Sequence, residues 1–159
     1  CRWLTEQDPD MPKERVVYPP VHQLGEELLL APDYLTWPGF RLPTQREWEY
    51  CTRAGSETSR FFGESDEHLS QYAWWVENAK QSLWPVGTRR PNAWGLFDSY
   101  GNVAEWCHPS EGFFDNRAQL VKGGEYRAIQ RFLNTTYETK TRSDTRLSTI
   151  GFRIVRIPP

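Results

Sequence analysis

Residues 92–107 read NAWGLFDSYGNVAEWC, and apolar positions typical of strands alternate there with residues that turn the chain or carry side-chain oxygens. The apolar positions are Trp94, Leu96, Phe97, Val103 and Trp106, and the interrupting positions are Asn92, Gly95, Asp98, Gly101, Asn102 and Glu105. Glycine permits positive φ, and Asp and Asn tolerate tight turns and coordinate hard cations. Generic core sequence lacks this mixture, so the segment indicates short strand-like pieces joined by tight turns with candidate cation ligands.

The composition favours one domain with an aromatic core. A chain of 159 residues is long enough to bury about two-thirds of its unfolded surface. Eight Trp, seven Tyr and eight Phe indicate a core built from aromatic side chains on strands and loops. Nineteen basic and 21 acidic residues leave a net charge of −2, which gives no global attraction to nucleic acid or to an anionic membrane. No apolar run reaches the length of a membrane span, no signal peptide is visible, and the sequence assigns no compartment.

RLPTQREWEYCTRAG, at residues 41–55, carries the clearest helix signal. Thr44 is predicted to cap the helix, Glu47 to complete a capping box, and Gly55 to end it. The helical face expected to be buried consists of Trp48, Cys51 and Ala54.

The other predicted elements are short. Helices are predicted at residues 1–7, 65–70 and 71–76, strands at 119–127 and 150–157, and a helix or strand within LGEELLLAPDY at 24–34. Residues 127–149 form a 23-residue connector with little periodicity, which is uncommon inside a compact domain unless it carries function. Few helices, scattered strands and long aromatic loops together indicate an α+β fold.

Four ordered motifs resemble one family. Besides residues 92–107, they are GFRLPTQREWEYCTRAG at 39–55, VKGGEYR at 121–127 and GFRIVR at 151–156. Together they are similar to the formylglycine-generating-enzyme, or sulfatase-modifying-factor, domain. The resemblance implies a C-type-lectin-like α+β fold, loop-rich and with few short strands and helices, over a single domain of residues 1–159. Because residues 1–38 match only loosely and the chain begins at Cys1, we expect the domain to be truncated at its N-terminus. The first and last strands of the family's fold pair, so a missing upstream strand would leave GFRIVRI with an exposed edge.

A calcium site is implied by the same resemblance. The matching loop of the family binds calcium, which assigns side-chain oxygens to Asp98 and Glu105 and backbone carbonyls to Gly101 and Val103. Such oxygens suit Ca²⁺, although four ligands do not complete its usual shell of about six to eight. The alternative is that Asp98 caps a turn and Glu105 pairs with an arginine.

The oxidase centre of the family is not expected to work in this chain. Its motif resembles GGS-x-x-C-x-x-x-x-C, in which two cysteines hold copper and engage the substrate cysteine. After the glycine pair at 123–124, the two cysteine positions hold Ala128 and Leu133. Thiolates are the ligands that Cu(I) selects, and no cysteine follows Cys107, so no shift of the alignment restores one.

The cysteines and histidines that are present show no zinc-site spacing. Cys1, Cys51 and Cys107 are expected to be buried free thiols, and His22, His68 and His108 ordinary surface or turn residues.

Ligand binding is expected around the 125–149 loop, at the position that the family uses for substrate. The candidate binding residues are Glu125, Tyr126, Arg127 and Arg131, with Gln130, Phe132, Tyr137, Arg142 and Arg146 around them. Arginines combined with aromatic rings suit peptides, carboxylates or sugars. The alternative is that the arginines pair with Glu105, Asp115 or Asp144 and only pin the loop. Retroelement-diversified lectin-like proteins place their variable residues in the matching segment.

Three functional hypotheses result. The first is a non-catalytic module that recognises a protein, peptide or small molecule, alone or within a larger multidomain protein. The second is a formylglycine-generating oxidase acting on a target cysteine, which Ala128 and Leu133 oppose. The third is an enzyme that uses Glu125 with Tyr126 in acid–base chemistry. We favour the first, with no catalytic residue and with calcium rather than copper as the candidate cofactor.

Overall fold

The computed structural model describes residues 1–14, 16–20, 30–109 and 118–159 as short elements joined by long loops. The α-helices are α1 (Arg2–Gln7), α2 (Gln45–Arg53) and α3 (Leu69–Tyr72), and 3₁₀ turns lie at Tyr34–Thr36, Asp66–His68 and Gln130–Phe132. The strands are β1 (Gly39–Arg41), β2 (Ala104–Cys107), β3 (Ala118–Lys122), β4 (Glu138–Arg142), β5 (Ile150–Gly151) and β6 (Val155–Ile157). The fold is therefore α+β, as the sequence predicts.

The strands of the described ranges form two sheets. β1 and β6 pair antiparallel, with Gly39 opposite Ile157 and Arg41 opposite Val155. The larger sheet has the order β4-β3-β2-β5, in which only the β2–β5 pair is parallel. Among the strands of the described ranges, β1 pairs with β6, and no strand pairs with the other edge of β6. The expected truncation at the N-terminus stays a prediction.

Both predicted strands are shorter in the structure. The strand predicted at 119–127 ends at Lys122, because Gly123 and Gly124 follow with φ of 88° and 70°, outside the β region. The strand predicted at 150–157 is divided into β5 and β6, which belong to different sheets. A single apolar run therefore contributes to two layers of the molecule.

α2 begins where the capping box predicts. The Thr44 hydroxyl accepts a hydrogen bond from the backbone N–H of Glu47, and the Glu47 carboxylate accepts one from the backbone N–H of Thr44 at 2.8 Å. The helix ends at Ala54, whose φ of 47° is left-handed. It therefore stops one residue before the predicted terminator, Gly55.

The buried face of α2 differs from the predicted one. Trp48 and Thr52 are 1% and 2% exposed, whereas Cys51 and Ala54 are half-buried. The core that Trp48 joins consists of Leu69, Ala73, Trp75, Tyr100, Cys107, Leu120 and Leu133. Residues four apart share a helical face, so Thr52 takes the inward place and Cys51 lies at its border.

α2 covers one face of the four-stranded sheet. The Trp48 Nε1–H donates to Glu105 Oε2 at 2.6 Å, and Lys122 Nζ donates to Glu49 Oε1 at 2.7 Å. Glu105 and Lys122 are register partners on β2 and β3, and both side chains reach α2. Because side chains alternate along a strand, the residues next to them point to the opposite face. That opposite face carries the candidate site.

The remaining predicted elements have mixed outcomes. The helix predicted at 1–7 is confirmed as α1, and the helices predicted at 65–70 and 71–76 are a 3₁₀ turn and the four-residue α3. Most of the 24–34 segment lies outside the described residues. The connector at 127–149 contains a 3₁₀ turn and β4, so it is ordered despite its weak periodicity. Across the described ranges, every helix is too short or too polar to cross a bilayer.

Candidate functional site

A cavity of about 380 Å³ opens on the face of the four-stranded sheet opposite α2. Two cross-strand pairs form its floor: Ala104 with Ile150, and Val121 with Thr139. Its walls are formed by Gly124, Glu125, Arg127, Ala128, Ile129, Phe132, Tyr137 and Thr149. The cavity thus combines a floor contributed by all four strands with a wall that is mostly the 124–137 segment.

The wall is anchored from behind by the buried Arg60, which is 6% exposed. Its Nε donates to the Leu133 carbonyl at 2.6 Å, and its Nη2 donates to the Gln130 carbonyl at 2.9 Å. Further along, the hydroxyls of Thr135 and Tyr100 share a hydrogen bond of 2.6 Å. The wall is therefore held in place by the protein itself, which lowers the entropy lost when a ligand binds.

The two cysteine positions of the family motif both lie next to Gly124, a residue of this wall. A Cβ placed on Gly124 would lie 2.6 Å from Leu133 Cδ2 and 3.5 Å from Ala128 Cβ, so both side chains adjoin the same glycine. Leu133 is fully buried in the core, and Ala128 lines the cavity. The fold therefore brings the two positions together, but they present only methyl and isobutyl groups.

The three thiols are located elsewhere. Cys1 precedes α1, Cys51 lies on α2 and Cys107 lies in β2, and all three are free. The expected burial holds for Cys107, whereas Cys1 and Cys51 are half-buried. Burial raises the pKa of the Cys107 thiol and of the Cys51 thiol, which disfavours the thiolate that would bind copper. None of the three is among the described residues that line the cavity.

The four predicted ligand-binding residues are divided by the structure. Glu125 and Arg127 line the cavity, and Glu125 Oε2 accepts a hydrogen bond from the Arg127 backbone N–H at 2.8 Å. Tyr126 is 4% exposed and does not line the cavity; its ring lies 4.9 Å from the Arg127 guanidinium. Arg131 is exposed beside the cavity, with its guanidinium 4.6 Å from the ring of Phe132. Glu125 and Arg127 are thus the two charged groups that a ligand would meet.

The arginines of the 125–149 loop are paired only in part. Arg142 Nη2 lies 2.8 Å from Asp144 Oδ2, which is one of the alternatives that the sequence left open. Asp115, another proposed partner, lies outside the described residues. Within the described ranges, no carboxylate lies within ion-pair distance of Arg127 or Arg131.

Sequence reasoning missed the floor of the cavity and one residue of its rim. The missed lining residues include Ala104, Val121, Ile129, Thr139 and Ile150. They are ordinary strand or loop residues, separated along the chain by up to 46 positions, and only sheet pairing brings them together. No local sequence pattern distinguishes these residues from other strand residues of the same chemical type.

The 98–105 loop fits a calcium ion only in part. Asp98 has a left-handed φ of 54°, and its Oδ2 accepts a hydrogen bond from the backbone N–H of Gly87 at 2.6 Å. Its Oδ1 is buried and has no hydrogen-bond partner among the described residues. An oxygen atom in that position could coordinate a metal ion. Glu105, in contrast, is fully engaged. Gly101 and Val103 lie in the turn between them, and no cluster of three or more His, Cys, Asp or Glu side chains suited to a metal occurs in the described ranges.

Arg153 is the group that engages Glu105. Its Nε and Nη2 donate to the two carboxylate oxygens of Glu105 at 2.6 and 2.7 Å, and Nη2 also donates to the Phe97 carbonyl at 3.1 Å. Burial opposes the charge on Arg153, but the hydrogen bond and charge of Glu105 outweigh it, so the pKa of Arg153 is raised. Pairing of Glu105 with an arginine was the alternative to a metal in the sequence analysis, and the arginine is that of the GFR motif. The calcium set Asp98, Gly101, Val103 and Glu105 stays a prediction.

His108 is 1% exposed, so the expectation that it lies on the surface or in a turn is wrong. Its ring Nε2 and the Tyr18 hydroxyl form a hydrogen bond of 2.7 Å, and its backbone N–H donates to the Pro43 carbonyl at 2.9 Å. Burial, followed by the nearby Arg41 charge, lowers the pKa of His108 to about 4. His108 is therefore neutral at pH 7 and joins β2 to the start of α2, whereas His22 lies outside the described residues.

Fold and site together define an α+β domain of the C-type-lectin-like, formylglycine-generating-enzyme type. The chain belongs to the sulfatase-modifying factor enzyme 1-like domain family, whose sequence profile matches residues 1–158. The resemblance drawn from the four motifs is thereby confirmed.

Three relatives illustrate the range of this family. A formylglycine-generating enzyme of Streptomyces coelicolor is 30% identical over 154 residues, covering 77% of this chain and 48% of the enzyme. The serine/threonine-protein kinase pkn1 of Chlamydia pneumoniae is 28% identical over 143 residues, covering 79% of this chain and 22% of the kinase. Among solved structures, Treponema denticola variable protein 1 has a TM-score of 0.72 and 26% identity, covering 81% of this chain and 50% of that protein. The chain spans about half the length of the formylglycine-generating enzymes that it matches.

Proposed function

We propose that this chain is a non-catalytic recognition module on a formylglycine-generating-enzyme scaffold, and that it binds its ligand at the cavity beside the 125–149 loop. The observation that carries the proposal is the pair of positions 128 and 133. Both side chains adjoin Gly124, the second glycine of the motif, but they are those of alanine and leucine. A hydrocarbon side chain has no lone pair for Cu(I) and no thiol to exchange with a substrate cysteine.

The cavity supports binding as the remaining role. Its wall is anchored by Arg60, and two charged side chains, Glu125 and Arg127, face an otherwise largely apolar interior. Concave, largely apolar sites with a few placed polar groups are typical of ligand-binding sites. We propose a protein, peptide or small molecule as the partner rather than nucleic acid or membrane, because the net charge of −2 supplies no general attraction to polyanions.

The module is proposed to act beside other domains in some of its settings. The pkn1 relative supports this, because the match covers only 22% of that kinase. A domain of this family therefore occurs within a longer protein that carries another named activity. The binding partner in such a setting would be recognised through the same cavity.

A copper and peptide assay tests the proposal against the oxidase alternative. The full chain is loaded with Cu(I), incubated with a Cys-x-Pro-x-Arg peptide under oxygen, and the peptide is analysed by mass spectrometry. We expect no conversion of the peptide thiol to an aldehyde. The matched variant Ala128→Cys/Leu133→Cys restores both thiols at adjoining positions and is expected to gain Cu(I) affinity. Aldehyde formation by the unsubstituted chain would overturn the proposal and establish the oxidase.

Calcium binding by the 98–105 loop is a separate proposal. The unpartnered Asp98 Oδ1 supports it, and the guanidinium of Arg153 on Glu105 opposes it. It does not bear on the recognition role, since the cavity lies on the other face of the sheet from Glu105.

A further inference from the structure

The two charged side chains that line the cavity, Glu125 and Arg127, differ in their hydrogen bonding: the carboxylate has a partner and the guanidinium has no ion pair among the described residues. Arg127 lines the cavity with an exposed guanidinium and no carboxylate within ion-pair distance among the described residues. Its side chain lies over the Tyr126 ring at 4.9 Å, which orients the guanidinium without neutralising it. Arg131 is held similarly over Phe132, one of the wall residues, at 4.6 Å. Arg127 is therefore the cation of the lining, and Arg131 contacts a wall residue without lining the cavity itself.

The acids of the same loop are already engaged. Glu125 Oε2 accepts from the Arg127 backbone N–H at 2.8 Å and so orders the turn that presents Arg127. Glu138 is on the α2 side of the sheet, where its Oε2 accepts from Gln45 Nε2 at 2.5 Å. Asp144 is paired with Arg142. The lining thus carries one carboxylate, Glu125, which is already hydrogen-bonded, and one guanidinium, Arg127, whose side chain is exposed at the opening.

The interior of the cavity is suited to a hydrocarbon group. Ala104, Val121 and Ile150 form most of its floor, and Phe132 and Ala128 form part of its wall. At the rim, Ile129 is 37% exposed and adds apolar surface to the opening. A cavity of about 380 Å³ is near the lower end of the range for small-molecule sites.

We propose that this cavity binds a small organic carboxylate with an apolar body, such as an aryl or short alkyl carboxylate. The apolar body lies on the floor of Ala104, Val121 and Ile150, and the carboxylate accepts hydrogen bonds from the planar guanidinium of Arg127. Arginine suits this role because its parallel N–H groups match the two oxygens of a carboxylate. Glu125 lies beside Arg127 and repels a second negative charge, so a monoanion is favoured over a phosphate dianion. This inference rests on the proposed recognition role and specifies its ligand class.

A ligand titration by NMR tests the inference. The ¹⁵N-labelled full chain is titrated with 3-phenylpropionate and, separately, with the uncharged amide of the same acid. With the acid, saturable shifts are expected for the backbone N–H signals of Gly124, Ala128 and Ile129. The uncharged ligand, 3-phenylpropionamide, should bind at least about tenfold more weakly, because it cannot form the charge-assisted hydrogen bond. Equal affinity for the acid and its amide, or the absence of saturable shifts with the acid, would overturn the inference.

Substitutions at the rim identify the residue responsible. Arg127→Gln is expected to weaken 3-phenylpropionate binding by about ten- to a hundredfold, with Arg127→Lys in between. Arg142→Gln is the matched control, since Arg142 is exposed, is paired with Asp144 and does not line the cavity. An unchanged affinity in Arg127→Gln, in a variant whose spectrum shows an intact fold, would overturn the assignment.

The two proposals fail in different ways. If the protein binds 3-phenylpropionamide, or a peptide with an internal phenylalanine, with the same affinity as 3-phenylpropionate, the recognition role stands and the carboxylate assignment fails. A chain that converts the Cys-x-Pro-x-Arg peptide to an aldehyde loses the recognition role, whatever it binds.

Discussion

Replacing Arg153 by methionine tests what holds the 98–105 loop in place. In the parent protein, the guanidinium donates to both oxygens of Glu105 at 2.6 and 2.7 Å, and the side chains of Arg153 and Glu105 are 25% and 8% exposed. Removing one partner of a buried ion pair costs about 3–5 kcal/mol, because the other charge stays buried and unpaired. A quarter of Arg153 reaches water, which screens part of the interaction. We therefore expect a loss near the lower end, about 3 kcal/mol in the free energy of unfolding at pH 7.

Urea denaturation followed by tryptophan fluorescence measures this loss. Arg142→Met is the control, because its ion pair with Asp144 is exposed and its loss should leave the free energy of unfolding nearly unchanged. The double variant Glu105→Gln/Arg153→Met should lose less than the sum of the single variants, by roughly 1–3 kcal/mol, since the two side chains interact directly. A loss below about 1 kcal/mol in Arg153→Met, or strict additivity in the double variant, would refute the reasoning, because a buried pair cannot be so weakly coupled.

Three further predictions follow from the structure. If the 98–105 loop binds calcium, the ion should raise the melting temperature more in Arg153→Met than in the parent protein, because Glu105 no longer pairs with an arginine. Glu105→Ala should abolish the rise. The absence of a rise in both the parent and Arg153→Met rejects the site. In the folded protein the pKa of His108 is lowered to about 4, whereas the unfolded chain binds a proton at this residue below pH ~6.5. This group should therefore reduce the free energy of unfolding by about 3 kcal/mol as the pH drops from 6.5 to 4. In His108→Phe, the loss of stability with falling pH, measured by urea unfolding, should be smaller, and an unchanged loss contradicts the assignment. Gly124→Ala places a Cβ 2.6 Å from a core leucine methyl at φ 70°, and should cost about 1–3 kcal/mol more than Gly87→Ala, which has φ 74° and open space; equal losses in thermal or urea unfolding would show that the wall can shift.

Local signals were reliable where the interactions are local. The capping box of Thr44 and Glu47 involves residues three apart, so the sequence predicted the start of α2 correctly. The glycine pair at 123–124 and the missing cysteines at 128 and 133 are also properties of short segments. The family, the α+β class and the absence of cysteine at positions 128 and 133 could therefore be inferred from the motifs alone.

Predictions that needed a partner were less complete. The inward face of α2 was displaced from Cys51 to Thr52, because the direction of the helix face depends on the sheet beneath it. The last strand, for which the sequence suggested an exposed edge, pairs on one side with β1, whose residues lie 114 to 118 positions earlier in the chain. An arginine of the loop at 125–149 was one alternative partner for Glu105, but Arg153 pairs with it from the segment between β5 and β6.

By itself, the amino-acid order of this chain determined its family, its helix start, its turn positions and the loss of the two thiols, since each depends on covalent identity or on neighbours a few residues away. Only the tertiary structure decided that Ala104, Val121, Thr139 and Ile150 form one floor, that Arg127 is left without a carboxylate, and that Glu105 is held by Arg153. The physical reason is that pairing across strands is set by register and by competition among all the charges of the folded chain, and neither is written in any short segment.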